Sequence, residues 1–218
     1  MKNNKHPGII LILAWPQTLC KQAGAWYDNI LNKLGIASNH YYKVGHAALV
    51  LADGVSGKCH YYDFGRYHAP FGHGRVRSEF TDHDLHIPIK AQIEGGKLKN
   101  IGEIKFFLQN NESCHGTGDI IMSYCEIDFL KAKEKADAMQ KNSPIKYGPF
   151  EWNGTNCSRF VRTVALSGQP TFLNKLRLLM PPMFTPTPIW NVRAVKPKNE
   201  KIENYYHEVH YELRHYPC

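Results

Sequence analysis

No apolar run in this chain of 218 residues comes near the 18 or so that a membrane-spanning helix needs. The longest, Gly8-Ile-Ile-Leu-Ile-Leu-Ala14, follows Lys2 and Lys5 and so imitates a short signal peptide. Trp15-Pro16-Gln17-Thr18 stands where a small-residue cleavage site belongs, so residues 8–14 read as a buried strand and the expected location is cytoplasmic. There is no CxxC and no close cysteine pair: Cys20, Cys59, Cys114, Cys125, Cys157 and Cys218 are scattered, as free thiols in a reducing compartment are. No Lys/Arg block exceeds two residues despite a net charge of +8. That excludes the usual basic tracts, shows no nucleic-acid recognition module, and leaves a merely basic enzyme as the simpler reading. No HExxH or paired CxxC is present, and His40, His46, His60, His68 and His73 lack ligand spacing, so no metal and no cofactor are expected. No internal repeat is visible.

What is present suits one packed domain, with 43% hydrophobic and 12% aromatic residues. The expected division is a single domain over residues 1–195 and a polar, Tyr/His-rich tail over 196–218. After the first strand, Leu19, Ala23, Trp26, Tyr27, Ile30, Leu31 and Leu34 form a helical stripe over 18–34, closed by Gly35. Residues 41–52 and 58–64 read as two strands joined by Asp53-Gly54-Val55-Ser56-Gly57, a β-hairpin. Residues 65–78 read as a basic, glycine-rich loop, 85–93 as a further strand, 97–109 as a short helix and 118–127 as a strand. Asp128 caps a helix of about 13 residues that Ser143-Pro144 ends. Residues 180–188 read as an extended, proline-rich crossing segment. The pattern is α+β, with helices bracketing mostly antiparallel strands.

The most informative residue is Cys157. Val161, Val164 and Ala165 follow it on one helical face, Thr155 or Asn156 offers an N-cap, and Gly168 offers a stop. A thiol in the first turn of a helix is biased toward the thiolate, which is the nucleophile. A thiol nucleophile needs a base. His46 lies in Val44-Gly-His-Ala-Ala-Leu-Val-Leu51, a strand of small and apolar residues where it is out of place by propensity; the bland alternative is a core histidine bonded to a backbone carbonyl. The return strand supplies His60, Tyr62 and Asp63 as possible partners for His46, and the choice depends on register.

His46 in its GHAALVL strand, a polar residue on the next strand, and Asn156-Cys157-x-x-Phe160-Val161 opening a helix resemble the circularly permuted papain-like hydrolases of the NlpC-type superfamily, including the YiiX-like proteins and the lecithin retinol acyltransferase group. The resemblance covers residues 44–64 and 155–165. It implies a permuted papain-like antiparallel sheet packed on helices, with Cys157 as nucleophile, His46 as base, and His60, or alternatively Asp63, as third member. The activity it implies is a thiol hydrolase or acyltransferase acting on an amide or ester through a Cys157 thioester, on a small-molecule, peptide or lipid acyl substrate.

A helix-start N–H at Cys157 suits an oxyanion, with Gln17 or Tyr147 as second donor. In the loop after the hairpin, Arg66, His68, His73 and Arg75 are candidate substrate contacts through arginine forks and glycine amides. Two other readings compete: a catalytically silent papain-like binding module, and a His-rich metal-binding protein.

Overall fold

The computed structural model describes residues 5–21, 33, 37–38, 41–42, 44–180 and 185–197. The expected helix over 18–34 lies mostly outside these residues, as does the tail from 198. Residues 18–21 are not helical: Cys20–Lys21 is a short strand, β2, and Leu19 is exposed. It pairs with β4 (Tyr41–Tyr42), which also pairs with β3 (Ala37–Ser38).

The first apolar run is β1 (Pro7–Trp15), and Ile9 to Trp15 are all buried. A strand with no polar alternation needs cover on both faces, and this one has it. β1 pairs antiparallel with β10 (Ile121–Asp128) on one side and β5 (His46–Asp53) on the other. The sheet continues through β6 (Cys59–Gly65), β7 (His73–Arg77) and β11 (Ile145–Lys146) in the order β10-β1-β5-β6-β7-β11, antiparallel throughout. Ile10, Ile12, Leu49 and Tyr62 face one core, closed by α2 (Phe129–Lys141), α3 (Cys157–Ser167), α4 (Phe172–Leu179) and α5 (Pro188–Ala194). Leu11, Leu13, Val50 and Tyr61 face the other, closed by α1 (Ile101–Gln109) and the chain before it. Each aliphatic side chain so buried contributes about 1.5–3 kcal/mol before entropy is charged against it.

Further expectations need correction. Residues 85–93 are not a sheet strand. A 3₁₀ turn at His83–Leu85 leads into extended chain with Leu85, Ile87 and Ala91 buried and His86, Pro88 and Lys90 exposed. The alternation is that of a strand, but the segment lies on the sheet's face, Pro88 has no N–H for a ladder, and only β8 (Ile93–Glu94) and β9 (Lys97–Leu98) pair, around Gly95-Gly96. The loop over 65–78 contains β7, whose Arg75 and Arg77 oppose Gly65 and Asp63. The helix over 97–109 begins only at Ile101.

The strand over 41–52 is interrupted. Gly45 has φ +75°, and a β-carbon there would lie 2.8 Å from the Trp15 carbonyl oxygen, so only glycine fits easily. The break makes His46 the first residue of β5, at the end of the sheet.

Candidate active site

Helix α3 begins at Cys157 because Asn156 caps it: the Asn156 side chain accepts from the Arg159 N–H at 2.9 Å. Phe160, Val161, Val164 and Ala165 are fully buried against the sheet. This seats the first turn of α3 beside the start of β5. Cys157 and His46 meet there, 5% and 6% exposed, with their side chains hydrogen-bonded to each other. The Ala47 backbone N–H also points at the sulfur.

Register selects the partner of His46. Asp63 pairs with Ala48, whereas His60 pairs with Leu51, three residues further along β5 and on the opposite face. Asp63 therefore shares the sheet face of His46 as a diagonal neighbour, with Oδ2 3.5 Å from His46 Nε2. The Tyr67 hydroxyl lies 3.4 Å from the same nitrogen and donates to Asp63 at 3.2 Å. With Nε2 turned this way, Nδ1 is the nitrogen left for the thiol. Trp15 lies against the imidazole with ring centroids 5.7 Å apart and excludes water from that side.

Asp63 is completely buried. Burial alone would raise its carboxyl pKa, but His46 and Arg77 hold it below the ordinary range. Arg77 grips both carboxylate oxygens, donates to the Ser113 carbonyl at 3.0 Å, and lies 3.6 Å above the Tyr67 ring; Tyr61 adds a further donor to Asp63. His60 sits elsewhere, its Nδ1 2.8 Å from Glu79, a carboxylate also held by His86 and Lys58.

The electrostatics favour an ion pair. Burial is the largest influence on His46 and acts to lower its pKa, yet hydrogen bonds and charge from Asp63 and Cys157 raise it to about 9. Burial likewise opposes a thiolate at Cys157, but the His46 hydrogen bond and charge, with the Ala47 N–H and Ser158, bring its pKa below the ordinary thiol value. The neighbouring Cys20 is the opposite case: burial and the Cys157 charge push its thiol up to about 12, and it donates to the Gly45 carbonyl at 3.4 Å. The two neighbouring thiols are thus biased in opposite directions, Cys157 toward the thiolate and Cys20 toward the thiol.

An open cleft of about 320 Å³ reaches His46, walled by Tyr67, His115, Arg66, Tyr147 and Cys20. Of the oxyanion candidates, Tyr147 lines this cleft, stacked on Phe64 at 5.7 Å, and Gln17 does not; its amide lies against Gly118. Of the loop candidates, Arg66 lines the cleft, over the Tyr147 ring at 5.3 Å. Arg75 forms a two-pronged ion pair with Asp82 at 2.7 and 2.8 Å. His68 is exposed, and His73 Nδ1 lies 3.0 Å from the Phe71 carbonyl. Sequence reasoning missed Arg77, Tyr67 and His115. The first was hidden by reading β7 as loop; His115 carried no local signal and comes from a distant turn with φ +51°. Among the described residues no three His, Cys, Asp or Glu side chains gather as metal ligands, and no helix is long and apolar enough to cross a membrane.

Comparison with known proteins gives the lineage. A family model described as "Type VI secretion system effector TseH-like" matches residues 10–171, most of the chain and every residue of the Cys157–His46–Asp63 cluster. The chain belongs to this TseH-like family. A solved structure of the type VI secretion system effector TseH is similar at 19% identity with a TM-score of 0.47, covering 77% of this chain and 80% of that one. No curated protein matches. The TseH-like chain carries a histidine on an antiparallel sheet packed against helices, and a cysteine at a helix N-terminus. The histidine strand precedes the cysteine helix in the chain.

Proposed function

We propose that this TseH-like protein is a thiol hydrolase or acyltransferase with Cys157 as nucleophile, His46 as base and acid, and Asp63 as the residue that orients His46. One observation carries the reading: a buried imidazole hydrogen-bonded to a helix-start thiol on one side and set 3.5 Å from a buried carboxylate on the other. The Cys157 thiolate attacks the acyl carbon of an amide or ester, and the carbonyl electrons move to oxygen, where the Cys157 N–H donates. Collapse of that adduct breaks the C–N or C–O bond. The His46 imidazolium gives its proton to the leaving nitrogen or oxygen, leaving a Cys157 thioester. Water, or an amine or alcohol, then attacks the thioester while His46 takes the incoming proton, and the thiolate departs.

On this reading the chain shares its mechanism with the permuted papain-like YiiX-like and acyltransferase groups, and the third member is Asp63, with His60 assigned to structure. The family name supports a proposal of place: the chain is made in the producing cell's cytoplasm and acts after delivery to a target. The test is site-resolved alkylation with iodoacetamide followed by assay on amide and ester model substrates. Cys157 is expected to alkylate well below pH 9, far faster than Cys20, and Cys157→Ala to abolish turnover. Equal rates at Cys157 and Cys20 at pH 6, or turnover that survives Cys157→Ala, would sink the assignment.

A further inference from the structure

Four of the five apolar side chains of helix α4 are exposed. Asn174 and Leu178 point inward, while Phe172 is 77% exposed, Leu173 60% and Leu176 49%, with Leu179 and Met180 exposed at its end. Trp190 of α5 extends the same patch: its indole N–H donates to the Arg177 carbonyl at 3.3 Å, and 37% of the residue remains in solvent. Singly exposed apolar residues need no explanation, but a contiguous group of this size marks an interaction surface.

Charge identifies the partner. From Trp152 to Asn199 the sequence contains seven Lys or Arg residues and no Asp or Glu; all 19 acidic residues lie before or after this stretch. Lys175 and Arg193 are exposed and Arg177 half-exposed on α4 and α5 themselves. None of the three pairs with a carboxylate among the described residues. A second copy of the chain on this patch would bring like charges together with no acid to relieve them. Aliphatic and aromatic side chains in the centre, one indole at the edge and unpaired cations around them are the composition of a segment that rests in the headgroup layer of an anionic bilayer.

We propose that the α4–α5 face docks the protein onto anionic lipid membranes. The inference is independent of the thiol chemistry. The full chain is co-sedimented with mixed phosphatidylcholine–phosphatidylglycerol vesicles and with pure phosphatidylcholine vesicles. Three cations near the surface predict on the order of a hundredfold tighter binding to the mixed vesicles, weakening as salt rises. Leu173→Ser with Leu176→Ser, and separately Arg193→Gln alone, are expected to reduce binding by about tenfold and severalfold respectively. All these side chains are exposed, so melting temperature and Cys157 alkylation should not change. Absence of binding to the mixed vesicles overturns the proposal, as does equal binding to both vesicle types that the variants leave intact. So does lipid-free dimerisation abolished by the leucine double variant, which would assign the face to a second copy.

Discussion

At Cys157 the decisive quantity is the charge state of a pair. The depressed thiol and the His46 imidazolium, with its pKa near 9, together span a window in which both reactive forms coexist. Activity should therefore appear at a pH below the ordinary thiol range and decline as pH passes about 9, when His46 can no longer give a proton to the leaving group. Asp63→Asn removes a charge that raises His46, so the upper limb of the pH–rate profile should move to lower pH and kcat should fall. His60→Gln provides the contrast. It leaves Glu79 with a weaker partner, so it should cost about 1–3 kcal/mol of stability, read by denaturant unfolding, and leave the pH profile in place. A shifted profile in His60→Gln with none in Asp63→Asn would return the third role to His60. The sequence named Cys157 and His46 because each is anomalous where it stands: a cysteine opening an apolar helix, and an imidazole in a strand of alanines and leucines. It left Asp63 and His60 level because they differ only in which face of β6 they occupy, and that face is decided by pairing with β5.

Elements were legible where one short-range cause dominates. The α2 helix starts at Asp128, whose carboxylate accepts from the Lys131 N–H, and ends before Pro144, as its capping residues indicate. β1 declares itself by length and hydrophobicity, and the β5–β6 hairpin by its turn. What failed was extended chain that makes no ladder and ladder that contains glycine and charge. Residues 85–93 have the alternation of a strand, yet their buried side chains roof the sheet. β7 looked like loop because Arg75 and Arg77 are charged, and both charges are answered only by distant residues, Asp82 and Asp63. The N-cap of α3 gives this scale its prediction. Asn156→Ala should destabilise the protein by about 1 kcal/mol in chemical denaturation. It should also slow Cys157 alkylation near neutral pH, because the first turn that positions the thiol frays.

For the whole molecule, the layered arrangement follows from burying β1 on both faces. Helices cover one side and α1 with its preceding extended chain the other, and a completely buried carboxylate, Asp63, is admitted between strands of this sheet with its own charged partners. Burial of that carboxylate ties stability to pH: its pKa is lowered on folding, so its contribution is present above the ordinary carboxylate value and is lost as pH falls through the depressed one. Asp53 behaves alike. Burial opposes its ionisation, but Ser56, His6 and two backbone N–H groups hold its pKa near 2. Thermal melting should therefore be nearly flat from pH 5 to neutrality and drop steeply below pH 4, with Asp63→Asn flattening the acid limb.

β1 also has a mechanical consequence. It is held by eight residue pairs on each side, to β10 and to β5, and hydrogen bonds in such ladders lie across the strand axis. A pull applied through His6 along that axis loads both ladders in shear, so many bonds must yield together. A pull applied beyond Pro197 first meets α5 and α4, which can come away one at a time. Forced unfolding is governed by the barrier along the pulled direction. Tethered at His6, the molecule should give way at a markedly higher force in an optical trap than when tethered at Pro197, and any narrow pore that takes it from the N-terminal side would meet the stiffest part of the fold first.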